Sequence, residues 1–393
     1  MKKLYYLLPL LAAVLTFSCM SEMGDYGYSS EGVSEGYGHL EAGNGTDSLA
    51  FEAGQLTAAE WNDLDHWDFW KNLLRGQTDS TNFAQYPTYW RYSTQERYGL
   101  QLLHSDSLPV INSDLRLMFG QKELWHARTD NLGRAELWLG LTPTDTVVPM
   151  DSCRLYADGL PMDVPLVRDS LNRFCCDSLA SSGSRRVELA FVVDATGSMG
   201  DEMNYLKAEL EDVITRVQAM QSGLSVWTAA VFYRDEEDDY LVKNSDFTDQ
   251  LQTTVDYIGL QRADGGGDYP EAVHTALSTT LSQLQWSEQA RTRLAFLLLD
   301  APPHYQEAVI SDIHRSVHEF AAKGIKLIPV AASGIDKETE FLLRYFALAT
   351  NGTYVFLTDD SGLGNSHLKA SVGAYEVEYL NDLLVRLITK YSE

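Results

Sequence analysis

The sequence predicts an α/β protein: a doubly wound, mostly parallel sheet in the C-terminal half, preceded by an N-terminal all-β sandwich domain. Three observations carry that reading. From residue 185 onward, near-continuous apolar runs alternate with helix-length apolar stripes, the pattern of parallel strands covered on both faces and their crossover helices. Between residues 95 and 180, shorter apolar runs alternate with turn residues at sandwich-like spacing. Two of the later runs, 187–193 and 294–299, each end directly on an aspartate, Asp194 and Asp300. Ligands in open α/β sheets sit beyond the carboxyl ends of the strands.

The chain has 393 residues, 45% of them apolar, and a net charge of −26. Its length implies about two to three domains. The negative charge argues against nucleic acid and bare anionic membrane surfaces as partners. Residues 1–18 read as a secretory signal: Lys2 and Lys3 form a basic start, and 4–15 an apolar stretch too short to span a bilayer. Thr16-Phe17-Ser18-Cys19 resembles the lipobox of bacterial lipoproteins, which implies lipidation of Cys19. The expected location is the outer membrane, on its periplasmic or cell-surface side, held by the lipid anchor alone. Residues 19–52 are rich in Gly, Ser, Glu and Tyr, the composition of a flexible tether. Beyond Cys19, the cysteines Cys153, Cys175 and Cys176 are odd in number. Export permits a bridge from Cys153 to either neighbour, or all three stay reduced.

Residues 53–94 are expected to form a helical segment. The spacing predicts a helix over 56–74, with Thr57 as cap and Glu60 as its capping-box partner. Trp61, Leu64, Trp67, Trp70, Leu73 and Leu74 share one face. Such an aromatic stripe suits core packing better than a carbohydrate platform. Residues 95–180 supply the β region, with runs at 99–103, 115–119 and 135–141. Its Thr129-Asp130-Asn131-Leu132-Gly133 turn resembles that of carboxypeptidase-regulatory-like, transthyretin-type sandwiches, which implies a spacer or platform. Asp130 and Gly133 are also what a tight hairpin needs. Ser181-Ser182-Gly183-Ser184 reads as a hinge.

Residues 185–393 carry the α/β pattern. Strands are predicted at 187–193, 226–233, 294–299, 325–331 and 354–357. Met203, Leu206, Leu210, Val213, Ile214 and Val217 mark one helix. A second covers 308–323, closed by Gly324. A third covers 338–350, capped by Asp336, and a last one 377–391.

The first strand runs into Asp194-Ala195-Thr196-Gly197-Ser198, which presents a carboxylate and two hydroxyls at alternate positions. Three such oxygens can converge on a hard cation: Mg²⁺ takes six oxygens at about 2.0–2.1 Å and keeps several waters among them. The motif resembles the metal-ion-dependent adhesion site of von Willebrand factor type A domains, with Thr196 at its middle position. The resemblance covers residues 185–393. It implies a second element in the loop Gly265-Gly266-Gly267-Asp268-Tyr269-Pro270-Glu271-Ala272 and a third at Asp300. Asp300-Ala301-Pro302-Pro303-His304 looks like the bacterial branch of that family. The implied ligands are Asp194, Thr196, Ser198, Asp268 and Asp300, holding Mg²⁺ (Mn²⁺ or Ca²⁺ as alternatives), with His304 and Tyr269 at the rim. Adhesive members carry Thr where Asp268 stands. A third carboxylate binds a cation more firmly but lowers its pull on an acidic partner.

Other clusters are weaker. His314 and His318 have metal-ligand spacing, but no Glu follows His314 as a His-Glu-x-x-His motif requires, so a solvated helix face is expected. The acidic loop 235–239 is expected to be solvated, with a second cation as the alternative. No Ser-His-Asp elbow, P-loop or dinucleotide fingerprint is present. The expected function is metal-dependent binding of a protein partner in the envelope or outside the cell, without enzymatic activity. The alternatives are a metal-dependent hydrolase, for which only His304 offers a base, and a scaffold whose metal is structural.

Overall fold

Buried strands need partners on both edges, and the longest apolar runs of the chain find them in one sheet. The computed structural model describes residues 52–77, 82–220, 223–362 and 366–393. The expected signal, Cys19 and nearly all of the expected tether lie outside the described residues. β1 (Thr57–Trp61) leads to α1 (Trp67–Leu74) and the short α2 (Tyr86–Tyr89). β2 (Glu96–Leu103), β3 (Asp114–Phe119), β4 (Lys122–Arg128), β5 (Arg134–Leu139), β6 (Arg154–Ala157), β7 (Leu160–Met162) and β8 (Leu171–Cys175) follow. The second half begins β9 (Arg186–Asp194), α3 (Gly200–Met220), β10 (Ser225–Tyr233), β11 (Val242–Asn244), α4 (Leu251–Gly259) and α5 (Val273–Ser282). It ends β12 (Thr292–Leu299), α6 (Glu307–Lys323), β13 (Ile325–Ala331), α7 (Lys337–Ala349), β14 (Tyr354–Leu357), β15 (Glu378–Tyr379) and α8 (Leu380–Ser392).

The main sheet has the order β11-β10-β9-β12-β13-β14-β1-β15. Its five central strands, β10-β9-β12-β13-β14, are mutually parallel, and β11, β1 and β15 pair antiparallel at the two ends. The chain steps from β9 outward to β10, then returns across β9 to β12. The topological switch therefore lies between β9 and β12, whose carboxyl ends carry Asp194 and Asp300. Alternate residues of β9 enter two separate cores: Val187, Leu189, Phe191 and Val193 pack with the α3 stripe and α8, whereas Ala190 and Val192 pack on the side of α5, α6 and α7. The predicted stripe of α3 is fully buried there, Met203 through Val217. Gly324 closes α6 in the left-handed region at φ 66°, and the Asp336 side chain caps α7 by accepting from the Thr339 amide.

The predicted helix over 56–74 is corrected in its first half. Residues 57–61 are a strand, in register with β14 from Ala58 opposite Leu357 to Trp61 opposite Tyr354. The helix starts only at Trp67, so Thr57 caps nothing. The reason is tertiary: β14 offers an unpaired edge, and Ala58 and Ala59, both fully buried, are small enough to sit between the two cores. Glu209, itself buried, fixes the entry to this strand by accepting from the amides of Gly54, Gln55 and Leu56 at 3.0–3.1 Å. The aromatic stripe packs inward, as expected. Trp70 is fully buried and stacks on Phe341 of α7 at 5.6 Å.

Residues 96–175 form two small sheets, β5-β2-β8 and β4-β3-β6-β7. Their inner residues, among them Leu100, Leu102, Leu115, Leu117, Trp125 and Leu137, belong to the same core as α6 and α7. The Asp130 turn docks against the main sheet: Asp130 accepts from Lys326 Nζ at 2.9 Å and from Asn351 Nδ2 at 3.1 Å. Gly133 is required in that turn, because at φ 70° a Cβ would fall 2.2 Å from the Leu102 carbonyl oxygen. The expected hinge at 181–184 is tied down instead. Ser181 Oγ accepts from the Ile111 amide and donates to the Pro109 carbonyl, both at 2.9 Å, and the Ser182 amide donates to Ile111 O. Cys153, Cys175 and Cys176 are all unbridged. No described helix is long and apolar enough to cross a membrane.

Candidate metal centre

The loop after β9 folds on its own side chains. Thr196 donates to Asp194 Oδ1 twice, from its amide at 2.9 Å and its hydroxyl at 2.7 Å, and the Ser198 hydroxyl lies 3.2 Å from that of Thr196. Asp194 and Thr196 are buried, while Ser198 is exposed. A short turn, Gly197–Met199, then starts α3. Asp300 follows β12, the strand beside β9, and is 4% exposed. Burial, reinforced by the charge of Asp300, pushes the Asp194 carboxyl up to about 7. Burial also raises Asp300 to about 6, with the Ser198 hydroxyl opposing and the Glu202 charge adding to the rise. One oxygen of each carboxylate, Asp194 Oδ2 and Asp300 Oδ1, has no hydrogen-bond partner. Buried carboxylate oxygens left bare are costly unless a cation meets them.

The second loop holds a residue that sequence reasoning missed. Glu271 is 3% exposed, its amide donates to the Pro302 carbonyl at 2.9 Å, and it pairs with Pro303 in a parallel bridge. Its Oε2 is buried without a partner. Burial, then the charges of Asp194, Asp235, Asp300 and Asp238, push Glu271 up to about 9. Glu271 thus adds a buried carboxylate that feels the charges of Asp194 and Asp300, while Asp268, three residues earlier, is exposed. Tyr233, fully buried at the end of β10, has its hydroxyl raised far above its usual range by burial and by these same carboxylates.

Asp268 instead joins Asp235 and His304. The ligand atoms of these three lie within 4.8 Å of one another. Among the described residues this is the one group of His, Cys, Asp or Glu side chains drawn so close. His304 Nε2 lies 2.7 Å from Asp235 Oδ1. The acidic loop is therefore only partly solvated. Asp235 is buried, and Asp238 accepts from the Gly266 amide at 3.0 and 2.9 Å, clamping the glycine arc. A Cβ on Gly265 would sit 2.2 Å from Asp238 Oδ1, which reserves that position for glycine. Tyr269 is 44% exposed at the rim, and its hydroxyl donates to the Gly334 carbonyl at 3.1 Å.

The histidines of α6 correct another expectation. His314 is 7% exposed, its Nε2 lies 3.0 Å from the Trp90 carbonyl, and its ring packs on Tyr92. His318 faces Asp145 at 3.5 Å and the Trp125 ring. That face of α6 is covered by the N-terminal segment and β4 rather than by water.

Residues 188–328 match the family model of the von Willebrand factor A domain, which supports a domain of that class at the centre of the main sheet. Two curated relatives are similar to part of the chain. The chain is 29% identical over 132 residues to a provisionally named ariadne-like RING finger protein of Acanthamoeba polyphaga mimivirus, covering 34% of this chain and 13% of that protein. It is 23% identical over 221 residues to the alpha-protein kinase vwkA of Dictyostelium discoideum, covering 54% of this chain and 34% of the kinase. The chain thus spans well under half the length of either relative. Among solved structures, the conserved hypothetical protein BatB from Bacteroides thetaiotaomicron matches with a TM-score of 0.36 and 12% identity, over 52% of this chain and 98% of that one.

Proposed function

We propose that the protein is a lipid-anchored cell-envelope protein whose von Willebrand factor A-like domain captures a protein partner through a bound divalent cation. The observation that carries this reading is the bare oxygens of Asp194 and Asp300, buried side by side at the topological switch of the sheet. Asp194, Thr196, Ser198 and Asp300 would hold the cation, with Glu271 in the place expected for Asp268. All these donors are oxygens, which suits Mg²⁺, with Mn²⁺ or Ca²⁺ as alternatives. When bound, the cation supplies an open coordination position for an acidic side chain of the partner. The chain's own residues orient it: Thr196 fixes one oxygen of Asp194, and exposed Ser198 opens the site to solvent. The two small sheets are read as a transthyretin-type sandwich that serves as spacer or platform. The domain binds and does not turn over a substrate.

Capture of envelope proteins on the immobilised chain tests this. Bound partner should be lost in chelator and regained with Mg²⁺. Ser198→Ala, an exposed substitution, should weaken capture by about tenfold or more, on the scale of about 1.4 kcal/mol per decade. Capture that ignores both chelator and Ser198→Ala would leave the metal structural at most. The anchor has its own test. Cys19→Ala should move the protein from the membrane fraction to a soluble or uncleaved form, and unchanged fractionation would remove the lipid from this reading.

A further inference from the structure

At the end of β12 opposite Asp300, a cavity of about 490 Å³ lies where the small sheet meets the α/β region. β3 and β4 form one wall, and α6 with the segment from the end of α5 to β12 forms the other. Arg293, the second residue of β12, lines it about 23 Å along the strand from Asp300, at about 3.3 Å per residue. The chain holds 56 acidic residues against 30 basic ones. Here the balance is reversed, with Arg116, Arg128, Arg293 and Lys323 against three carboxylates. Asp114 is already shared among Arg116 at 2.9 Å, His126 at 3.0 Å and Arg128 at 3.5 Å. Glu319 faces Lys323 at 3.0 Å, and the third carboxylate is Glu288. Arg293 is 3% exposed. Its Nε donates to the Ser287 carbonyl at 2.7 Å and its Nη1 to Asn112 Oδ1 at 3.1 Å, both neutral acceptors, while Nη2 has no partner. Glu188, beside it on β9, is held by Arg186 at 2.6 Å and by the Ser287 amide. Burial draws the Arg293 guanidinium down to about 10, with the Glu188 charge opposing and the Arg128 charge adding to the fall. Two guanidiniums thus line one cavity and repel each other.

We propose that this cavity binds a small anionic ligand, a phosphoryl or carboxylate group on a compact polar body, held between Arg128 and Arg293 with Lys323 beside them. The planar guanidinium fork matches two oxygens of a carboxylate or phosphate, and charge-assisted bonds of this kind are strong ones. An anion supplies the opposite charge that Arg293 lacks and relieves its repulsion with Arg128. The volume falls within the range of small-molecule sites, about 300–1,000 Å³, and suits a body about the size of a monosaccharide rather than a polymer. Trp286, partly buried, adds an aromatic surface to the lining. The walls come from the β region and the α/β region alike, so a bound anion also braces one against the other. The site stands apart from the metal reading and does not depend on it.

The test uses the full chain freed of divalent metal, so that no anion can bind through a cation at the strand ends. Inorganic phosphate, glucose 6-phosphate and glucuronate are titrated calorimetrically at low salt, with glucose as the uncharged control. At least one anion should bind saturably with a Kd of about 1 mM or below and raise Tm, and glucose should do neither. Binding of the phosphate-bearing probes alone assigns a phosphoryl ligand, of glucuronate alone a carboxylate one, and of both a general anion site; each supports the proposal. Arg128→Gln removes a partly exposed guanidinium whose partner Asp114 keeps Arg116 and His126, so the fold should persist. It should weaken the anion at least about tenfold, as should Arg293→Lys, which keeps the charge but loses the fork. Where Arg293→Lys does not fold, Arg128→Gln decides alone. Anion binding undiminished in Arg128→Gln would overturn the site. Glucose binding as tightly as glucose 6-phosphate, binding that appears only with added Mg²⁺, or no saturable binding of any anion up to about 10 mM would do the same.

Discussion

Stripped of divalent cation, the protein should lose stability as pH rises from about 5 to about 9, and Mg²⁺ should reverse that trend. The sign follows from the direction in which folding moves each carboxyl. Folding raises Asp194 to about 7, Asp300 to about 6 and Glu271 to about 9, in each case chiefly by burial. A carboxyl raised on folding favours the protonated native state. Its contribution is complete below the unfolded value near 4 and is lost as pH climbs through the folded value. The metal-free protein should therefore be less stable at pH 9 than at pH 5. A bound cation holds the carboxylates ionised and contributes about 2.7 kcal/mol at a hundredfold excess over its Kd. Protons compete for the same oxygens, so metal binding should weaken on acidification. Thermal unfolding at matched ionic strength, with chelator and with millimolar Mg²⁺, should show a gap that widens from pH 5 to pH 9. A gap that is absent, or constant with pH, would separate these carboxylates from any cation.

The second large effect is expected far from the site, at Arg344 on α7. This guanidinium is fully buried and forks onto Asp63, Nε to Oδ2 at 2.9 Å and Nη2 to Oδ1 at 2.6 Å. Its remaining nitrogen, Nη1, donates to Glu340 at 3.3 Å and to the Ser371 carbonyl at 2.7 Å. Asp63 also accepts from Trp61 Nε1, so the network ties β1 and the turn after it to α7. Removing one partner of a buried ion pair leaves the other charge uncompensated, a cost of about 3–5 kcal/mol. Arg344→Ala should therefore lower the denaturant midpoint sharply. Arg344→Lys should rescue little, because an ammonium cannot fork onto two oxygens of one carboxylate. A loss below about 1 kcal/mol for Arg344→Ala would show that Asp63 and Glu340 find other partners or take up protons.

The Arg344 network also marks where sequence reading runs out. Arg344 and Asp63 are 281 positions apart, and no local pattern pairs them. The same distance hid β1. Its five residues alternate too weakly to announce a strand, and the apolar spacing of Trp61, Leu64, Trp67 and Trp70 matches a helix, which only Trp67–Leu74 realises. A fragment cut at residue 185, where the α/β pattern begins, would leave the β14 edge bare. The Asp130 turn shows the converse. Its hairpin residues were legible, but its docking on Lys326 and Asn351 was not.

By itself the sequence determined the elements whose cause is local. Apolar runs of five or more residues became β9, β10, β12 and β13, a 3.6-residue stripe became α3, and Gly324 and Asp336 ended and began their helices where backbone geometry demands such residues. Local order also put Asp194 and Asp300 at strand ends, because each directly follows its apolar run. Tertiary structure alone decided which loop residue turns inward. Asp268 and Glu271 are three residues apart and chemically alike. The Pro302–Pro303 backbone draws Glu271 under the rim, and the glycine arc clamped by Asp238 carries Asp268 toward Asp235 and His304. Spacing records that a loop offers carboxylates. Which of them loses its water depends on a neighbouring chain segment that no local pattern contains.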